Sequence, residues 1–327
     1  MDIFSNISKK DAAIFALKLI VLAALFAYLV SIYCPTCFAK EGTKNGFNIT
    51  NATINQDDIL FGGPPRDGIP SIDNPKFLPV DKVDYLRDKD IVLSVKKDGE
   101  IRAYPTRILV WHEIVNDEIS GKPIVVTYCP LCGTGMVFDR VIDGKLRTFG
   151  VSGLLYQSDV LMYDRETESL WSQLAMKGVS GEGINKKLKW LPSEHLTWQA
   201  WKEKYPQGKV LSIDTGFSRN YGARAYAEYF DSDDIMFPVP QTRKELANKE
   251  KVIGVIINGK AKAYPLSKFK AERKVEDEIG GIKIAVSYDG EKQHPVVTDS
   301  DGKPITSVVV FWFAWQAFYP DTGLWGG

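Results

Sequence analysis

Residues 86–128, LRDKDIVLSVKKDGEIRAYPTRILVWHEIVNDEISGKPIVVTY, return at 246–288 as LANKEKVIGVIINGKAKAYPLSKFKAERKVEDEIGGIKIAVSY. The two stretches align without a gap at a shift of 160 residues, and 16 of the 43 positions are identical. Ala103-Tyr104-Pro105 matches Ala263-Tyr264-Pro265, and Asp117-Glu118-Ile119 matches Asp277-Glu278-Ile279. What is shared has the character of scaffold. Where the side chains can do chemistry the copies part: His112 stands opposite Glu272, Cys129 opposite Asp289, and Cys132 opposite Lys292. One copy therefore carries a candidate site and the other only its frame.

The local pattern predicts the unit's elements. Ile91 to Val95, a turn at Asp98-Gly99 and Ile101 to Tyr104 read as a hairpin, repeated around Asn258-Gly259. Ile108, Trp111, Val115 and Ile119 recur at helical spacing, and Ile124 to Tyr128 reads as a returning strand. The expected fold is α+β, mostly β: an internal duplication of a hairpin-helix-strand unit, with a β-rich insert over about 129–240. That insert carries strand signals at Met136 to Val141, Leu146 to Val151 and Val160 to Tyr163, and a helix over Thr197 to Tyr205 with Thr197 as its N-cap. Val308 to Tyr319, dense in Phe and Trp, is too short to cross a membrane and reads as a buried segment closing the core.

At 327 residues, 44% apolar and 25% charged, the chain has the composition of a folded globular protein. Lys plus Arg and Asp plus Glu both number 41, which leaves no electrostatic footprint for nucleic acid. Ala12 to Tyr33 is an apolar run broken by Lys18 and Ser31 and preceded by Lys9 and Lys10. Such a run reads as a membrane anchor with its basic end in the cytoplasm, or as a cleaved signal ending near Cys37-Phe38-Ala39. The expected organisation is thus an anchor or signal over 1–39, a linker over 40–74, and an extracytoplasmic domain over 75–327. Turn signals at Gly62-Gly63-Pro64-Pro65 and Asp67-Gly68 punctuate the linker, and Asn48-Ile49-Thr50 and Asn51-Ala52-Thr53 fit glycosylation sequons in an exported chain.

The chemistry concentrates at Cys129-Pro130-Leu131-Cys132-Gly133. Two thiols separated by two residues either close a small disulfide ring or place both sulfurs on one metal, and Gly133 suits the tight turn. A closed four-cysteine zinc site is disfavoured, because Cys34 and Cys37 sit at the membrane end. Three readings stand. In the first, Cys129 is an attacking thiolate, Cys132 resolves, and His112 lowers a thiol pKa or takes its proton, in partnership with a redox protein. In the second, Cys129, Cys132 and His112 hold copper or zinc with one position open, for exchange with a metal partner. In the third, the disulfide is an inert staple.

Other residues are weighed beside these. Ser152, Ser158, Asp159 and Arg165 follow the knuckle in strand-and-turn sequence where they can line a pocket, although Asp164 to Thr167 reads more simply as a hairpin turn. His195 reads as a surface residue, and His294 as a residue able to face the site from the second copy. A cytidine-deaminase pattern is rejected, since His112-Glu113 lacks the spacing of H-x-E. Neither a G-x-S-x-G elbow nor a phosphate-binding glycine fingerprint occurs.

A family resemblance emerges from motifs taken together. Gly62-Gly63-Pro64-Pro65, Asp73-Asn74-Pro75, Trp111-His112-Glu113-Ile114-Val115-Asn116, Tyr128-Cys129-Pro130-Leu131-Cys132, Phe149-Gly150-Val151-Ser152-Gly153, Met162-Tyr163-Asp164-Arg165 and Phe311-Trp312-Phe313-Ala314-Trp315 lie in this order. With Ala103-Tyr104-Pro105 they resemble domain-of-unknown-function family 3179 over nearly everything after residue 60. The resemblance implies no established activity. Selenoproteins among its members imply a tilt of the site towards redox chemistry.

Overall fold

Strand, not helix, dominates the chain. A computed structural model describes residues 42–240, 243–270 and 274–326, and the apolar run at 12–33 lies outside the described residues. Among the described residues no helix is long and apolar enough to cross a membrane. The compact β unit begins at Asn45.

Its strands form five sheets of three to five strands, apart from a two-stranded ribbon of Val141–Ile142 with Lys145–Leu146. β1 (Ile59–Phe61) edges one sheet and β2 (Phe77–Pro79) another. β3 (Ile91–Lys97) and β4 (Glu100–Pro105) make the expected hairpin, and α1 (Thr106–His112) follows. β5 (Ile114–Ile119), β6 (Lys122–Cys129) and β7 (Thr134–Asp139) form a meander. β8 (Phe149–Tyr156), β9 (Asp159–Asp164), β10 (Leu170–Ser172) and β11 (Lys177–Gly178) form the next. β12 (Trp190–Leu191), β13 (Glu194–Thr197), α2 (Trp198–Lys204) and β14 (Lys209–Leu211) come before a long loop holding α3 (Ala227–Asp231). The last part is β15 (Lys251–Ile257), β16 (Lys260–Pro265), β17 (Lys274–Ile279), β18 (Ile282–Asp289), β19 (His294–Asp299), β20 (Ser307–Phe311), α4 (Trp312–Phe318) and β21 (Gly323–Leu324).

The sheet orders are β11-β10-β9-β8-β1, β12-β7-β6-β5, β13-β3-β4-β14-β2, β20-β15-β16-β21 and β17-β18-β19. All pairings within them are antiparallel except β14 beside β4 and β21 beside β16. With 43% strand and 14% helix the sheets are arranged as a five-bladed β-propeller. This overturns the expected α+β duplication of hairpin-helix-strand units around an insert. Each 43-residue stretch is divided between two blades, and residues 129–240 supply one blade and complete two others.

The helix is where local pattern misled. It ends at His112, because Glu113 takes φ 58° and ψ −31°, and Ile114–Ile119 then runs as a strand buried on both faces. A strand buried on both sides shows no clean period of two, so its apolar residues fit a helical template equally well. The segment expected to be a tether is partly built into the blades: β1 pairs with β8, and Phe47 and Ile49 are buried.

The shared motifs now have physical meaning. Tyr104 donates its hydroxyl to Asp117 at 2.5 Å, and Arg102 donates to both oxygens of that carboxylate at 2.6 Å. In the later stretch Tyr264 donates to Asp277 at 2.8 Å, and Lys262 pairs with the same carboxylate at 2.6 Å. A further echo joins α2 to α4: Trp198, Trp201 and Tyr205 occupy the places of Trp312, Trp315 and Tyr319. The residue that caps each helix donates its N–H to a knuckle of another blade. Thr197 donates to the Lys292 carbonyl and Phe311 to the Cys132 carbonyl, both at 2.9 Å.

Candidate functional site

Pro130 cannot continue a ladder, so β6 stops at Cys129 and the chain turns through Leu131 and Cys132 before Thr134 pairs back with Cys129. Gly133 closes the turn at φ +60°, with its N–H on the Pro130 carbonyl at 3.3 Å. A Cβ there would stand 2.8 Å from the Phe311 ring, so both conformation and space require glycine. The turn holds Cys129 and Cys132 as free thiols that are 1% and 0% exposed.

Opposite them comes the β8–β9 hairpin. Its two loop residues, Gln157 and Ser158, both have positive φ (50° and 67°), the signature of a type I′ turn, although neither is Gly, Asn or Asp. This turn aims the Ser158 carbonyl at both sulfurs, which lie 3.8 Å (Cys129) and 3.4 Å (Cys132) away. It also delivers Asp159. One carboxylate oxygen and the two sulfurs lie within 4.8 Å of one another, all buried. Asp159 Oδ2 accepts the Leu174 N–H at 2.9 Å, whereas Oδ1 is buried with no N–H or O–H donor among the described residues.

Glu113 lies outside that group, near enough for its charge to act on Asp159 and Cys129. It is 7% exposed, and its positive φ turns it away from the helix that carries His112. The group is electrostatically lopsided. Burial, then the charge of Asp159, pushes Glu113 up to about 8. Burial holds Asp159 at about 7, with the Leu174 N–H pulling the other way. Burial pushes both thiols up, aided by Asp159 and, for Cys129, by Glu113. Three acidic groups thus meet where water is scarce, with a fourth near enough to be felt through its charge.

Loop 215–240 roofs this cluster. Tyr229 donates its hydroxyl to the Leu131 carbonyl at 2.7 Å, and Ser158 Oγ donates to the Phe237 carbonyl at 3.0 Å. The later stretch repeats the knuckle in the open. Asp289 accepts the N–H groups of Glu291 and Lys292 at 3.1 Å and pairs with Lys292 Nζ at 3.6 Å, both side chains being exposed.

The structure brings Cys129 and Cys132 together and leaves His112 elsewhere. His112 is buried with Nδ1 on the Pro70 carbonyl and Nε2 on the Tyr221 hydroxyl, both at 2.7 Å, so neither ring nitrogen faces the thiols. Asp159, weighed only as a pocket residue, is the carboxyl that lies beside the two sulfurs. Ser158 contributes its carbonyl, and Ser152 is spent on the Leu161 carbonyl at a β-bulge. Arg165 pairs with Asp67 and Asp73. His195 Nδ1 lies 3.3 Å from the Gln293 carbonyl, and His294 lines a separate cavity of about 460 Å3 with Lys96, Pro192 and Glu194. Glu113 was missed. Its signal was available, since the later stretch replaces it with Arg273 just as it replaces the cysteines.

Comparison with protein families finds a match over residues 66–322 to the model described as "Protein of unknown function (DUF3179)". No curated protein and no solved structure matches the chain.

Proposed function

The chain belongs to the DUF3179 family, whose description assigns no activity, and from the site itself we propose that Cys129, Cys132 and Asp159 bind one metal ion. The observation that carries this reading is the buried cluster itself, two thiols and a carboxyl whose ligand atoms lie within 4.8 Å of one another, with Asp159 Oδ1 reached by no N–H or O–H donor among the described residues. Burial disfavours the ionised form of each of the three. A divalent cation reverses that preference for all three at once. Two thiolates and one carboxylate suit zinc(II), whose ligands are S, N or O in tetrahedral array, better than copper(I), which favours sulfur throughout. Three protein ligands leave a fourth position for water or substrate, the arrangement of a catalytic rather than a structural zinc.

A second reading has one observation in its favour. A carboxyl held at about 7 beside both thiols can take and return their protons near neutral pH, which serves dithiol-disulfide exchange. Against it stand thiols hidden from any protein partner and pushed up rather than down. The N-terminal apolar run supports placement of the site outside the cytoplasm on a membrane tether.

Zinc titration of the reduced full chain against a chromophoric chelator tests the proposal. The metal reading expects one tight site, protection of both thiols from alkylation on loading, and loss of both effects in Asp159→Ala. Unprotected thiols at saturating zinc would sink it.

A further inference from the structure

Beside α1, four stretches of chain meet around a cavity of about 270 Å3. Its wall is basic. Arg87, Arg107 and Arg224 stand in it, and Asp90 is its one acidic side chain. Three guanidinium groups against one carboxylate leave two positive charges in excess, in a chain whose charges balance at 41 each. None of Cys129, Cys132 or Asp159 lines this cavity, so it is separate from the thiol cluster.

The three arginines have different tasks. Arg107 is committed to the fold: its Nε and Nη2 donate to Asp90 at 2.8 and 2.7 Å, and its Nη1 donates to the Tyr221 and Gly222 carbonyls at 3.1 and 3.3 Å. It ties loop 215–240 to the wall and adds its charge. Arg224 pairs with Asp231, which lies outside the wall, but the two side chains are 63% and 60% exposed. An ion pair that open to water is held weakly, and another anion can compete for the guanidinium. Arg87 uses its backbone N–H on Asp90 Oδ2 at 2.8 Å, while its guanidinium has no partner among the described residues.

The frame does not need these side chains. In the later stretch Asp90 is matched by Glu250, yet Arg87 is matched by Ala247 and Arg107 by Ser267. There the Ser267 N–H donates to Glu250 at 3.1 Å, so the carboxylate has a donor without an arginine. Like the cysteines, the basic pair belongs to one copy alone.

We infer that this cavity binds a small molecule carrying a dianionic oxyanion of the phosphate kind, held by the Arg87 and Arg224 forks beside the fixed charge of Arg107. Guanidinium matches such a group in shape and gives it paired, charge-assisted hydrogen bonds. The volume is that of about nine liquid waters, more than the anion alone takes, and Tyr128 and Phe230 supply an aromatic part of the wall. The ligand is therefore a phosphomonoester with a small apolar body.

The test is isothermal titration calorimetry of the full chain with phenyl phosphate and with inorganic phosphate. The uncharged chelator phenanthroline is present, so that no metal ion binds the anion. One site per chain is expected, tighter for phenyl phosphate than for phosphate. Arg87 and Arg224 are exposed, so their variants keep the fold. Arg87→Gln and Arg224→Gln should each weaken binding of phenyl phosphate about tenfold or more, and Arg87→Lys, which keeps the charge and loses the fork, by less. Lys260→Gln, at an exposed position in the later stretch, should leave binding within about twofold. No saturable binding at about 10 mM phenyl phosphate, or binding unchanged in both glutamine variants, would overturn the site. Equal affinity for inorganic phosphate would overturn the choice of a phosphomonoester.

Discussion

Asp159→Asn is expected to change the sign of its effect with metal. In the metal-free protein Asp159 is lifted from its ordinary 3.8 to about 7 by burial. A carboxyl raised on folding favours the folded state fully below its unfolded value, and that contribution is lost as pH climbs through the folded value. The loss therefore runs from about pH 4 to pH 7. At about 1.4 kcal/mol per pH unit it amounts to about 4 kcal/mol. Asparagine has the same shape, keeps a carbonyl oxygen for the Leu174 N–H, and carries no charge to bury. In chelator, then, Asp159→Asn should stabilise the protein, and by roughly 3 kcal/mol more at pH 8 than at pH 5. Zinc reverses the order. At a free concentration a thousand times its Kd the ion stabilises the wild type by about 4 kcal/mol, and the variant, short of one ligand, gains far less. Urea unfolding at pH 5 and pH 8, with chelator and with zinc, measures all four values. Equal effects of the substitution at both pH values, or equal stabilisation of both proteins by zinc, would refute the reasoning.

Other substitutions probe separate parts of the account. Gly133→Ala should cost about 2–4 kcal/mol in thermal unfolding, from a left-handed conformation and a Cβ driven against Phe311, whereas Gly144→Ala, at φ +74° in open space, should cost only about 1–2. His112→Gln should lower stability by about 1–3 kcal/mol through the Pro70 and Tyr221 bonds yet leave zinc stoichiometry unchanged, and lost zinc in a folded variant would restore the histidine to the site. Asp117→Ala should destabilise by about 3–5 kcal/mol, because Arg102 and Tyr104 lose their shared partner away from water; a loss under about 1 kcal/mol would count against its role as a blade strut.

The hairpins, the α2 cap and the thiol turn were legible because each is written in neighbouring residues. Asp98-Gly99 and Asn258-Gly259 mark turns, and Thr197 accepts the Ala200 N–H at 3.3 Å as an N-cap does. The blades were not legible, since their edges are joined by strands far apart in the chain. β1 lies beside β8, and β14 runs parallel to β4. The helical echo was hidden for a related reason. Trp198 maps onto Trp312 at a shift of 114 residues, not 160, so no single ungapped alignment contains both signals. At the site, both cysteines stood out through their loss in the second copy, whereas Asp159 is carried beside them by the β8–β9 hairpin and no spacing in the sequence announces it. His112 looked chemical and proves engaged with Pro70 and Tyr221. Glu113 leaves the helix at a φ that no sequence pattern reports.

The most direct test is elemental mass spectrometry of the full chain purified without chelator, with free thiols counted on the same sample, for the wild type, Cys129→Ala, Cys132→Ala and Asp159→Ala. The account predicts about one zinc per wild-type chain, two free thiols after the metal is stripped, and near-zero metal in each variant. A metal-free wild type with Cys129 and Cys132 joined as a disulfide, whatever the buffer, would contradict it and leave dithiol exchange as the reading to pursue.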